Sequence, residues 1–114
     1  MPFCNKSSHP VLAVAVDTQQ SIPAHRFVSI GGTLTENETK SLGVSEVAWL
    51  ANDKAAITVY GVMPVEAEVP ITAGDNVTSS SNGKAKPATG NMPINGRALD
   101  STLAGGFVKV LLAS

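Results

Sequence analysis

The chain has 114 residues, room for one domain of about 100–150 residues and not for two. Charged residues make up 15%, against roughly 25% in an average soluble domain, and the net charge is -1. The densest cationic grouping is Lys84 and Lys86, and the longest strictly apolar run, Val11–Val16, is six residues, so neither a nucleic acid nor a membrane is expected as a partner.

The first ten residues, MPFCNKSSHP, hold one lysine and no apolar core, so no secretion signal is expected. They read as an extended N-terminal arm over residues 1–10, and the lone Cys4 fits synthesis in a reducing cytoplasm. Val11–Val16 then runs without a polar side chain, which reads as a strand buried on both faces. Phe27–Ile30 follows as a strand ended by Gly31-Gly32. Val44–Ala56 places Val44, Val47, Ala48 and Ala51 at helical spacing. The alternative, and the favoured one, has Glu46–Leu50 as a strand and Asn52-Asp53 as its turn.

Ile57–Met63 alternates as a strand with Gly61 at a bulge position. Val65–Val69, set between Pro64 and Pro70, reads as a separate edge strand with Glu66 and Glu68 on one face. Ala73-Gly74-Asp75 is a turn feeding a strand at Asn76–Ser79, and Asn82-Gly83 is a hairpin turn. Ile94–Leu99 and Phe107–Leu112 complete the set. The segments at Ile22–Val28 and Ile71–Val77, 49 residues apart, agree at their first, third and seventh positions. That echo reads as two corners of one kind more than as a duplicated unit. The fold class expected is all-β: a small Gly/Pro-punctuated β-barrel or β-sandwich, with at most one short helix, over residues 11–114 as a single domain.

Candidate chemistry is sparse. His9 and His25 have no partner at metal-ligand spacing, and Arg26 beside His25 disfavours a cationic imidazole. Cys4 has no neighbouring general base. No serine stands in a nucleophile elbow and no glycine-rich phosphate loop occurs. Glu66 and Glu68 share a strand face, where solvated charges are the ordinary role of such a pair. No catalytic, metal or cofactor residue is therefore expected, and no enzyme. A carrier-domain reading would use Lys84, just after the Asn82-Gly83 turn, but Lys84 lacks the flanking residues that such domains place around their modified lysine.

In chain order the corners are HRFVSIGG (25–32), VYGVMPVEAEVPITAGDNV (59–77), SNGKAKPA (81–88), INGRALD (94–100) and GGFVKVLL (105–112). This order resembles the small all-β head decoration, or capsid cement, proteins of tailed bacteriophages. The sequence departs from their pattern at Asn95, an extra residue between Ile94 and Gly96. The resemblance implies a structural protein on the outer capsid surface of the virion, binding the assembled head and bridging major capsid protein subunits. It implies self-association as a homotrimer, with a dimer as the alternative. Pro2, Phe3, Cys4, His9 and Pro10 of the arm are the residues expected to contact the capsid or a neighbouring subunit. The competing reading is a β-rich binding module on the virion surface that attaches to a host or a glycan.

Overall fold

Ten glycines and seven prolines interrupt the chain too often for long helices, and β-branched residues fill the gaps between them. The computed structural model, which describes residues 9–112, is accordingly almost all β. Its strands are β1 (His9–Asp17), β2 (Phe27–Val28), β3 (Gly43–Ser45), β4 (Lys54–Glu66), β5 (Asn76–Ser79), β6 (Ala85–Pro87), β7 (Gly96–Ala98) and β8 (Phe107–Leu112). The one helical element described is a 3-10 turn at Ser81–Gly83. The strands form one antiparallel sheet in the order β2-β3-β4-β8-β7-β5-β6, with β1 on β4. A parallel bridge from Ala67 to Ala85 brings the far end of the sheet back to the chain leaving β4, so the sheet curls into a nearly closed barrel.

Two clusters form the core. The larger fills the barrel with Phe27, Val44, Met63, Val65, Ile71, Val77, Val108, Val110 and Leu112. The smaller holds Ile22, Val28, Ala55 and Ile57, with Val16, Leu34, Leu42 and Trp49 packed against it.

Three sequence expectations are corrected. Val11–Val16 is not buried on both faces: among the described residues β1 pairs only with β4, and Val11 to Ala15 are exposed. Val65–Val69 is not a separate edge strand, because β4 runs unbroken through Pro64, and Val65 sits in the barrel core opposite Val108. The amide of Glu66 points away from β8, donating to the His25 carbonyl. Strand amides repeat direction every second residue, so the missing donor of Pro64 faces the same way and removes no bond to β8. Glu46–Leu50 is neither strand nor helix. β3 ends at Ser45, and Trp49 makes an isolated bridge to Ile22 before a turn at 51–52, where Asn52 takes φ 65. The expected strands Asn76–Ser79 and Phe107–Leu112 are β5 and β8.

The echo between residues 22–28 and 71–77 proves to be a duplicated unit. Ile22 bridges Trp49 as Ile71 bridges Thr102. His25 and Gly74, the fourth residues of the two corners, both have positive φ (63 and 93). Their amides donate to Ser45 and Ala98 respectively. Phe27 opposite Val44 matches Asn76 opposite Arg97, and Val44 opposite Thr58 matches Arg97 opposite Leu111. Asp17 opposite Lys54 matches Glu66 opposite Phe107, so β1 is the counterpart of the second half of β4. The offset grows from 49 to 53 residues between Val28 and Gly32, because the hairpin loop before Ala85 is four residues longer than the loop before Gly32.

Candidate interaction surface

β1 carries the first exposed apolar surface. Val11 and Leu12 are 69% and 55% exposed, and Tyr60, across the ladder from Leu12, is 52% exposed. Register shifts on either side of Leu12 twist this end of the strand, whereas Ala13–Asp17 pairs regularly with Lys54–Thr58. Under the Val14–Val16 face lies a groove of about 470 Å³, lined also by Gln19, Ile30 and Leu42. Ile30, at the tip of its loop, is 80% exposed. A second hollow of about 430 Å³ continues past Ile30 along Thr39, Lys40 and Ser41. Contiguous apolar surface of this kind on a small domain marks a contact with another macromolecule more often than a small-molecule site.

Asp17, which also lines the groove, pairs with Lys54 at 2.9 Å, and several of the other charged groups are tied to one another. Arg26 donates to Glu66 Oε1 at 3.0 Å and to the Asn82 carbonyl at 3.0 Å, and Lys84 lies 3.6 Å from Glu66 Oε2. Lys86 donates to Glu38 at 2.9 Å. That hydrogen bond and the lysine charge hold the Glu38 carboxyl below its ordinary range. Glu68 accepts from Ser80 and, at 3.3 Å, from Ser81, and the Ser80 hydrogen bond leads in lowering its pKa. The charges expected to blunt an edge strand instead tie the 3-10 turn to β2 and β4. Lys84 is engaged with Glu66 rather than presented at a hairpin tip, which weighs against the carrier reading. Among the described residues no group of His, Cys, Asp and Glu is arranged to hold a metal ion.

Of the arm residues expected to make contacts, Pro2, Phe3 and Cys4 lie outside the described residues. His9 and Pro10 open β1, opposite Val62 and Gly61. His25 is held in its positive-φ turn with its ring edge-to-face on Phe107 at 5.3 Å. Asn95 is a structural residue that sequence reading noticed only as a departure. Fully buried, it accepts the Ser41 amide at 2.9 Å and donates to the Thr39 carbonyl at 3.0 Å, stitching the 39–41 segment to the start of β7. Its one legible signal was that a polar residue interrupts an apolar strand pattern.

No match is found among curated proteins. Among solved structures the chain is similar to the crystal structure of the head fiber gp8.5 N base in bacteriophage phi29. The TM-score is 0.76 at 18% identity, over 90% of this chain and 93% of that one. At that identity the likeness establishes the fold, and the barrel is thus one that a phage head protein uses. The family model described as phage cement protein matches residues 6–112, nearly the whole length. With a match that covers nearly all of its length, this chain belongs to the phage cement protein family.

Proposed function

We propose that this protein coats the outer face of the assembled phage head and stabilises it by bridging neighbouring major capsid protein subunits. The observation that carries the reading is the family match across residues 6–112. The physics is linkage: a ligand that binds the assembled shell and not the dissociated subunits stabilises the shell by mass action. Symmetry repeats each modest contact many times over a particle, so no single contact has to be tight. The working unit is a homotrimer made in the host cytoplasm, with a dimer as the alternative. The N-terminal arm acts as a tether, in which Pro2, Phe3 and Cys4, with His9 and Pro10 at the start of β1, touch the capsid or a neighbour.

A second reading is an attachment module on the virion surface, and the structural neighbour, the base of a head fiber, keeps it in view. One experiment separates the two. Purified protein is added to capsids stripped of decoration, which are then sedimented, heated and imaged. Density at every equivalent surface site, with the capsid melting higher, is the expected result. Sparse occupancy with no gain in capsid stability would overturn the cement reading and leave the attachment module. Deleting residues 2–9 is expected to lower occupancy on the capsid, and unchanged occupancy removes the tether role.

A further inference from the structure

The duplication shows how one half of the molecule is covered and the other is not. The second half of β4 is the counterpart of β1. Its Met63 and Val65 are fully buried because Phe27 and Val44, from the first repeat, pack with them in the barrel core. Its outer edge is also bonded, through the Glu66 amide to His25. On β1 the counterpart residues are Val14 and Val16: Val16 packs in part against the smaller core cluster, and both line the groove beside Ile30 and Leu42. The counterparts of Phe27 and Val44 are Asn76 and Arg97, both exposed. Leu111, across the ladder from Arg97, is exposed as well. Each half of the contact that the chain makes within itself is thus present a second time, without its partner among the described residues.

We propose that a second copy of this chain supplies the missing layer. Its Asn76, Arg97 and Leu111 face covers Val14 and Val16 of its neighbour, as the Phe27 and Val44 face covers Met63 and Val65 within one chain. The carbonyl of Gly74 in the covering copy takes the role of His25, accepting from the Asp17 amide on the free edge of β1. Arg97 lies on one surface and the Asp17–Lys54 ion pair, 2.9 Å apart, on the other, so the apolar faces and the edge amide carry the contact. The exposed side chains of Val11, Leu12, Val14, Ile30 and Tyr60 offer on the order of 500 Å², against the roughly 800 Å² that each partner gives to a stable interface. A free edge strand that is apolar on both faces is an aggregation hazard for the unassembled protein, which favours cover by another copy over cover first gained on the capsid. The contact joins two different surfaces, so it is head-to-tail, the arrangement that forms a ring when its rotation closes. This inference rests on the self-association in the reading above and names the surface that performs it.

The test uses the full chain in a Cys4→Ser background. Val14→Cys and Arg97→Cys together are expected to give interchain disulfide-linked species on mild oxidation, and neither substitution alone should. The two positions lie on β1 and β7 with β4 and β8 between them, too far apart to join within one chain. In the otherwise unaltered chain, Val14→Asp is expected to weaken association by roughly a hundredfold or more, because it buries an unpaired charge, and to leave a folded monomer by light scattering and circular dichroism. Hydrogen exchange on the unaltered protein is expected to show the amides of Ala15 and Asp17, which point away from β4, protected in the oligomer and fast on dilution to monomer. A monomeric unaltered chain, an oligomer with fast exchange at those two amides, or no linkage in the double-cysteine variant would overturn the proposal. Capsid occupancy measured alongside tells the two apart: a monomer that still coats capsids leaves the cement reading standing and removes this one.

Discussion

Gly43 and Gly96 occupy the same place in the two repeats, and in both the absence of a side chain is what the fold requires. A Cβ on Gly43 would run into the Thr58 carbonyl, and one on Gly96 into Val110 and the Leu111 carbonyl. Neither residue has positive φ, so the requirement is close approach of neighbouring strands rather than turn geometry. Gly43→Ala and Gly96→Ala are each expected to cost about 1–3 kcal/mol, read as a lower midpoint in urea unfolding. Asn95→Ala leaves the Ser41 amide and the Thr39 carbonyl without their buried partner, at a cost of about 1–3 kcal/mol by the same measurement. Phe27→Ala empties the centre of the barrel and should cost about 3–5 kcal/mol. Val11→Ser, on the exposed strand, should change the stability of the folded monomer by less than about 0.5 kcal/mol.

At the scale of elements, the 3-10 turn and β6 are held by carboxylates whose titration has a definite sign. Glu38 and Glu68 both have folded pKa values below the ordinary 4.5. The unfolded chain therefore takes up protons first as pH falls. Their contribution is complete above the unfolded value and is lost as pH drops through the folded ones. The melting temperature is expected to fall between neutral pH and about pH 3, and Lys86→Gln should flatten that fall, since Lys86 is the leading cause of the Glu38 shift. Strand legibility followed the same local logic. β5 and β8 stand where alternation and their flanking turns place them, because each is bounded by residues that set the chain direction. β4 was read as two strands because a proline is visible in sequence and the direction of its nitrogen is not. β1 was misplaced because an uncharged run says that a strand is to be covered, without saying which chain covers it. The interaction surface was legible only in part, since Ile30 and Leu42 join it through a loop that no periodicity reveals.

For the whole molecule, the duplication accounts for a pattern that composition could only hint at. Two equivalent layers ask for two equivalent covers, and one chain supplies one of them. The shortage of charge is concentrated where the second cover is missing, since residues 11–16 hold no charged or polar side chain. The 13 residues of β4 belong to both repeats: the first half closes one unit on β1 and β3, and the second opens the next on β8. The two units therefore share a continuous backbone rod with no hinge between them. Neither can melt while the other stays whole, so heating should give one sharp transition with equal calorimetric and van't Hoff enthalpies. A load pulling the units apart lengthwise would be carried in shear by the ladders along that rod, all at once instead of one bond after another.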